Sequence, residues 1–238
     1  MELHKKYSQE ITDLSKQELF NFMEFVKTAK IDEPYLIGGW AVYSYTKGLG
    51  SVDIDFVFET KSEINRAELY FTENKYKLRI EDADKHYYKV VAEKISGVEK
   101  EIEIWFDTFH FGDRNMLLAD ERIEVPWQLL EQYHNYREIG NVRVKVPAPE
   151  LLLIYKVMAM IDREWKIADS IERMAVGNRA RLRAKAAKDM ADINGMVENT
   201  KVDYGTLEKI LSETGFGRYF WEKLRRIGNA GRFLKPRL

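Results

Sequence analysis

Leu36-Ile-Gly-Gly-Trp-Ala-Val-Tyr-Ser-Tyr-Thr-Lys-Gly-Leu-Gly-Ser-Val-Asp-Ile-Asp-Phe-Val-Phe58 is the stretch on which the reading of this chain turns. Tyr35–Ile37 is a short apolar run stopped by Gly38-Gly39. Trp40–Tyr45 then has helical character, Gly48 and Gly50 break it, and Val52–Phe58 reads as a buried strand. Glycines between a strand and a helix let the backbone turn sharply and approach a phosphate. The following helix start adds unpaired N–H groups and the positive end of its dipole. Residues i and i+2 of a strand share a face, so Asp53 and Asp55 present two carboxylates together among Val52, Ile54, Phe56 and Phe58. Like charges so placed repel, and burial adds to the cost. A divalent cation resolves the conflict; Mg²⁺ takes carboxylate oxygens together with substrate phosphates. Either motif alone is more often an ordinary strand end or a structural turn. In this order, on strand–turn–helix–strand, they point to phosphate chemistry.

Working outward, Ser15-Lys-Gln-Glu18 has the form of a capping box before a helix expected to end near Lys30. A helix is expected over Ser62 or Glu63 to Tyr70. Strands are expected over Tyr76–Ile80, Tyr87–Ala92 and Glu101–Phe109, the last two paired antiparallel through a turn at Ser96-Gly97. Asn141–Val146 alternates as one more strand, and Pro147 and Pro149 punctuate the chain. Beyond them Leu151–Ile161, Ile167–Met174, Ala180–Val197, Tyr204–Ser212 and Tyr219–Ile227 read as helices. The fold expected is α+β: a mixed sheet with flanking helices over residues 1–147, then a helical domain over 148–238.

The 238 residues are 45% hydrophobic and 32% charged, a globular composition. A formal net charge of −1 conceals an asymmetry. Residues 151–238 hold 18 Lys plus Arg against 11 Asp plus Glu, whereas residues 1–150 hold 20 against 28. Cysteine is absent, which excludes disulfide scaffolds, zinc fingers and thiol catalysis. Four scattered histidines (His4, His86, His110, His134) leave carboxylate chemistry, suited to Mg²⁺ or Mn²⁺, as the metal chemistry open. The longest apolar stretch, Leu151–Tyr155, is far short of a membrane span, and no signal-like run follows the N-terminus. A cytoplasmic protein with no membrane partner is expected.

Ile37-Gly38-Gly39 with Ser51-x-Asp53-Ile54-Asp55-Phe56 resembles the nucleotidyltransferase signature of the DNA polymerase beta superfamily, and its Gly-Gly form resembles the AbiEii and MenT toxin-type members. Pro149-Glu150-Leu-Leu-Leu-Ile-Tyr-Lys156 resembles that group's lysine-bearing helix, and Lys188-Asp189-Met-Ala-Asp192 its later Lys-Asp-x-x-Asp helix. The resemblance covers roughly residues 35–195, with Arg163–Arg183 as an apparent insertion. It implies that Asp53, Asp55 and a third acid hold Mg²⁺ (or Mn²⁺), that Gly38, Gly39 and Ser51 cradle the triphosphate of an NTP, that Lys156 binds phosphate, and that Asp189 acts as base or supports Lys156. For the third acid, Glu101, Glu103 and Asp107 share one strand face. Glu103 and Asp107 stand roughly 13 Å apart, so one site cannot use both. Glu103, inside the Ile-Glu-Ile run, is the expected ligand, with Asp107 close behind.

The resemblance implies an enzyme that moves an NMP to RNA, such as a tRNA 3′ end, or to a protein hydroxyl, with an antitoxin as a possible partner. The basic Arg179–Lys188 run and Arg225, Arg226, Arg232, Lys235 and Arg237 are candidates for RNA phosphates, with Tyr219, Phe220, Trp221 and Phe233 for stacking. Two alternatives stay open: transfer to a small cationic molecule of aminoglycoside type, and a non-catalytic nucleotide-binding or interaction module on the same fold.

Overall fold

The computed structural model describes residues 8–83, 87–96, 102–110, 115–117, 124–169 and 176–227. Its elements are α1 (Gln9–Thr28), β1 (Tyr35–Ile37), α2 (Gly38–Thr46), β2 (Asp53–Phe58), α3 (Lys61–Glu73), β3 (Lys77–Ala83), β4 (Tyr87–Ser96) and β5 (Ile102–His110). Then come β6 (Asn115–Leu117), β7 (Glu124–Pro126), α4 (Leu129–Gln132), β8 (His134–Ile139) and β9 (Val142–Pro147). The remaining elements are helical: α5 (Pro149–Asp169), α6 (Val176–Asn199), α7 (Tyr204–Thr214) and α8 (Gly217–Arg226). The α+β architecture expected from the sequence, a mixed sheet with flanking helices and a helical C-terminal region, is the one observed.

The chain divides into two units. One takes its described residues from His4–Arg114 and Trp127–Pro147, the other from Asn115–Pro126 and Ala148–Leu238. Residues 115–126 group with the helices although they precede residue 147.

The first unit is built on a seven-stranded sheet of order β3-β4-β5-β2-β1-β9-β8. β2 runs parallel to β5 and β1 parallel to β9; the other neighbours are antiparallel. One sheet face packs on aromatic rings. Phe22 of α1 lies 5.1 Å from Phe56 and 5.2 Å from Phe106, and stacks on Phe71 of α3 at 5.4 Å. Phe22, Phe56, Phe71 and Phe106 are all fully buried, and each such side chain contributes about 1.5–3 kcal/mol. This packing fixes the strand faces. With Ile54 and Phe56 of β2 and Ile104 and Phe106 of β5 turned into the rings, the alternation of a strand sends Asp53, Asp55, Trp105 and Asp107 to the opposite face.

Several boundaries differ from the sequence reading. α1 begins at Gln9, so Ser15 lies inside the helix rather than at its cap. Its hydroxyl is fully buried, donates to the Val52 carbonyl at 3.0 Å and accepts the Trp40 indole N–H at 3.0 Å, so a tertiary bond uses the group expected to cap. The capping box in this unit is Thr60 with Glu63, at the start of α3. α5 runs unbroken to Asp169, so the separate helix expected from Ile167 is partly its continuation; residues 170–174 lie outside the described residues. β8, polar and at the sheet edge, was not expected. Glu101 and Gly97, and Arg232, Phe233, Lys235 and Arg237, also lie outside the described residues.

In the helical unit α5 is buried along Leu151–Met158. The buried Glu150 carboxylate accepts the Asp203 backbone N–H at 2.6 Å, and Asp203 in turn caps α7 by accepting the Thr206 N–H at 2.7 Å. No described helix is long and apolar enough to cross a membrane.

Candidate active site

Gly38 opens α2 with a φ of +69°, in the left-handed region that glycine alone enters freely. The reason for glycine is also spatial: a Cβ on Gly38 would stand 2.1 Å from Asp55 Oδ2 and 2.9 Å from its Cγ. Antiparallel pairing of β1 with β2 sets Ile37 opposite Asp55, so the turn into α2 comes directly over that carboxylate. The Asp55 carboxylate therefore rests against the start of a nine-residue helix, where N–H groups lack helical partners and the dipole favours negative charge.

The loop that leads to the acids is pinned by packing. A Cβ on Gly50 would meet Thr12 Cβ at 2.8 Å and the Trp40 ring at 3.2 Å, so the loop passes tightly between α1 and α2. Ser15, bonded to both Val52 and Trp40, ties the same three segments. Ser51 is buried beside this anchor, two residues before Asp53.

The parallel register of β2 and β5 differs for the two candidate third acids. Asp55 is set beside Asp107, and Asp53 beside Trp105. Glu103 lies four residues before Asp107, opposite Ile95 of β4, and has no neighbour on β2. Neighbouring strands stand about 4.8 Å apart, whereas four residues span roughly 13 Å. The backbone thus gathers Asp53, Asp55 and Asp107 on one face and leaves Glu103 at a distance. Parallel register between strands some 50 residues apart carries no local sequence signal.

Three carboxylates on adjoining strands are hard oxygen donors, the right type for Mg²⁺ or Mn²⁺. Among the described residues, however, no three acidic or histidine side chains converge as a metal-binding group. The fit is one of donor type and strand position.

Lys156 and Asp189 belong to the helical unit, where they form a buried ion-pair network. Lys156 Nζ lies 3.3 Å from Asp189 Oδ1 and 2.8 Å from Asp192 Oδ2. Lys188 Nζ lies 3.0 and 2.8 Å from the two Asp192 oxygens, and Arg163 pairs with Asp189. Lys156, Lys188, Asp189 and Asp192 are each at most 7% exposed. Burial alone would push the Asp192 carboxyl up, but Lys156 and Lys188 outweigh it and hold the group below the usual carboxylate range. The basic run at Arg179–Lys188 is therefore divided: Arg181 and Arg183 are exposed, whereas Lys188 is committed to Asp192.

No family model matches the chain, and no curated protein does. Among solved structures, the chain is similar to the crystal structure of a protein from Thermotoga maritima described as a putative nucleotidyltransferase. The TM-score is 0.46 and the sequences are 16% identical, over 66% of this chain and 92% of the other. At that distance the likeness assigns no activity.

Proposed function

We propose that this protein is a metal-dependent nucleotidyltransferase that moves an NMP from an NTP to a hydroxyl acceptor and releases pyrophosphate. The observation that carries the reading is the seating of Asp55 against Gly38 at the start of α2, with Asp53 and Asp107 on the same sheet face. A carboxylate array under a glycine turn is an arrangement for holding a polyphosphate against a cation.

In this proposal Gly38 and Gly39 let the triphosphate approach the helix start, and Ser51 lies beside it. Asp53 and Asp55 would hold Mg²⁺ or Mn²⁺ with a third acid, for which the strand register supports Asp107 rather than Glu103. When bound, such a cation would supply charge neutralisation at the phosphates. The acceptor oxygen bonds to the α-phosphorus, and the bond to the α–β bridging oxygen breaks. Pyrophosphate leaves with that electron pair, and the acceptor's proton passes to a carboxylate. Roles for Lys156 as a phosphate ligand and Asp189 as a base rest on the sequence resemblance. Their described partners are one another, Asp192 and Arg163. The acceptor proposed is RNA, such as a tRNA 3′ end, ahead of a protein hydroxyl, in a cytoplasmic toxin-like enzyme with an antitoxin partner.

The test is incubation with Mg²⁺, each α-labelled NTP and total RNA or lysate, beside the Asp53→Ala plus Asp55→Ala variant. Label should pass to the acceptor and vanish in the double variant. Nucleotide binding without any transfer would overturn the enzyme reading.

A further inference from the structure

β8 is one edge strand of the sheet, and its hairpin with β9 carries an exposed pair of groups that the proposed chemistry does not use. The guanidinium of Arg143 lies 4.0 Å from the centroid of the Tyr136 ring. Arg143 is exposed, and Tyr136, 46% exposed, is among the most exposed large apolar side chains described. One further cation–ring pair shares its sheet face. Lys145, opposite Tyr136 in the register, lies 3.9 Å over Tyr35, whereas Arg137, one residue on, belongs to the other sheet face and stands over Tyr45 of α2. Edge-to-face contacts extend the rings inward, from Tyr136 to His134 at 5.9 Å and from His134 to Tyr35 at 5.5 Å. Glu33 faces the same cations. Burial raises its carboxyl above the usual range, against the opposing pull of Arg143 and then Lys145.

The register fixes the face. Tyr136 is opposite Lys145, Lys145 beside Tyr35, and Tyr35 opposite Val57, two residues beyond Asp55. Tyr136 and Arg143 therefore stand on the sheet face that bears Asp53, Asp55 and Asp107. Three strand spacings and two residues separate Tyr136 from Asp55, about 16 Å, the reach of a few nucleotides of extended single strand. Single-stranded RNA is held by flat rings and guanidinium planes that stack on unpaired bases, with cations tracking the backbone. An acidic peptide would use the cations but has no need of exposed rings.

We propose that the Tyr136–Arg143 pair on the β8–β9 hairpin is a stacking plate for an unpaired base of a single-stranded RNA acceptor. This rests on the nucleotidyltransferase reading and names its acceptor-binding surface. It adds the sheet edge to the basic helical residues that the sequence offered as candidates.

The test uses the full chain and a dye-labelled, unstructured single-stranded RNA, without NTP or metal, read by fluorescence anisotropy across salt concentrations. Circular dichroism checks that each variant is folded. Tyr136→Ala should weaken binding about 5- to 150-fold, the range that stacking of one base spans. Tyr136→Trp should retain binding, and Arg143→Gln should weaken it and lower the salt slope by about one. Arg181→Gln plus Arg183→Gln should have a smaller effect than Tyr136→Ala. Binding unchanged in folded Tyr136→Ala and Arg143→Gln, equal loss in Tyr136→Trp, or no binding of single-stranded RNA by the parent protein would each overturn the proposal. The Asp53→Ala plus Asp55→Ala variant separates the two ideas. Transfer that survives in it sinks the catalytic assignment but leaves the plate standing if Tyr136→Ala still loses RNA. Label passing only to protein, without RNA binding, sinks the plate and leaves the enzyme.

Discussion

Replacing Gly38 by alanine is the sharpest perturbation of the candidate site. Two costs are separable. The first is backbone strain: an L-residue at a φ of +69° costs about 1–2 kcal/mol. The second is collision: the new Cβ would stand 2.1 Å from Asp55 Oδ2, more than 1 Å inside ordinary contact, and the Cγ at 2.9 Å leaves no room for a simple rotation. Asp55 must move by about an ångström, a displacement that costs a positioned catalytic group on the order of 100-fold in rate. Gly215 isolates the first cost, because it has a φ of +67° with nothing within 4 Å of its would-be Cβ. Both variants should lose a few degrees of melting temperature. Only Gly38→Ala should lose NMP transfer, measured with labelled NTP under single-turnover conditions. Transfer by Gly38→Ala within a few-fold of the parent rate would refute the claim that Asp55 must sit against this turn.

The strand register makes a further demand: Asp107→Asn should reduce transfer by about 100-fold or more, whereas Glu103→Gln should remain within a few-fold, both read in the same assay. Ser15→Ala leaves the Trp40 N–H and the Val52 carbonyl unpaired and should cost roughly 1–3 kcal/mol in denaturant melts. Asp192 has a lowered folded-state pKa, so its stabilisation is complete above the ordinary carboxylate range and is lost as pH falls through that lower value. Melting temperature should therefore drop steeply in acid below about pH 4. Asp192→Asn should remove part of that acid dependence and lower stability at neutral pH by roughly 3–5 kcal/mol, since two buried lysines each lose a charged partner.

Most of the site's local geometry was legible because it is local. Gly38-Gly39 and Asp53-Ile54-Asp55 lie on one strand–helix–strand passage, and period-two alternation placed both acids on one face. What was not legible is long-range. Glu103 and Asp107 are equivalent by spacing, and only the parallel pairing of β2 with β5 separates them. Ser15 has the sequence of a cap but is drawn into the core by Trp40 and Val52. β8 escaped notice because an edge strand bonded on one side tolerates the polar run His134-Asn-Tyr-Arg-Glu, with little alternation to reveal it. Lys188 looked like part of a solvated basic face; its bond to Asp192 one turn on is local, but the burial of both against Lys156 of α5 is not. Charge patterning shows which residues are cations; burial determines which of them remain available to a partner.

The central claim, that this site breaks the α–β bond of an NTP and keeps the NMP, is tested most directly by position-specific labelling. The protein should be incubated with Mg²⁺ and NTP labelled at either the α or the γ phosphate, and both acceptor and released products counted. The account expects α-label on the acceptor, γ-label in pyrophosphate, and one pyrophosphate for each NMP attached. Transfer of γ-label, release of orthophosphate without attachment of NMP, or no NTP consumption with any RNA or protein acceptor would contradict it.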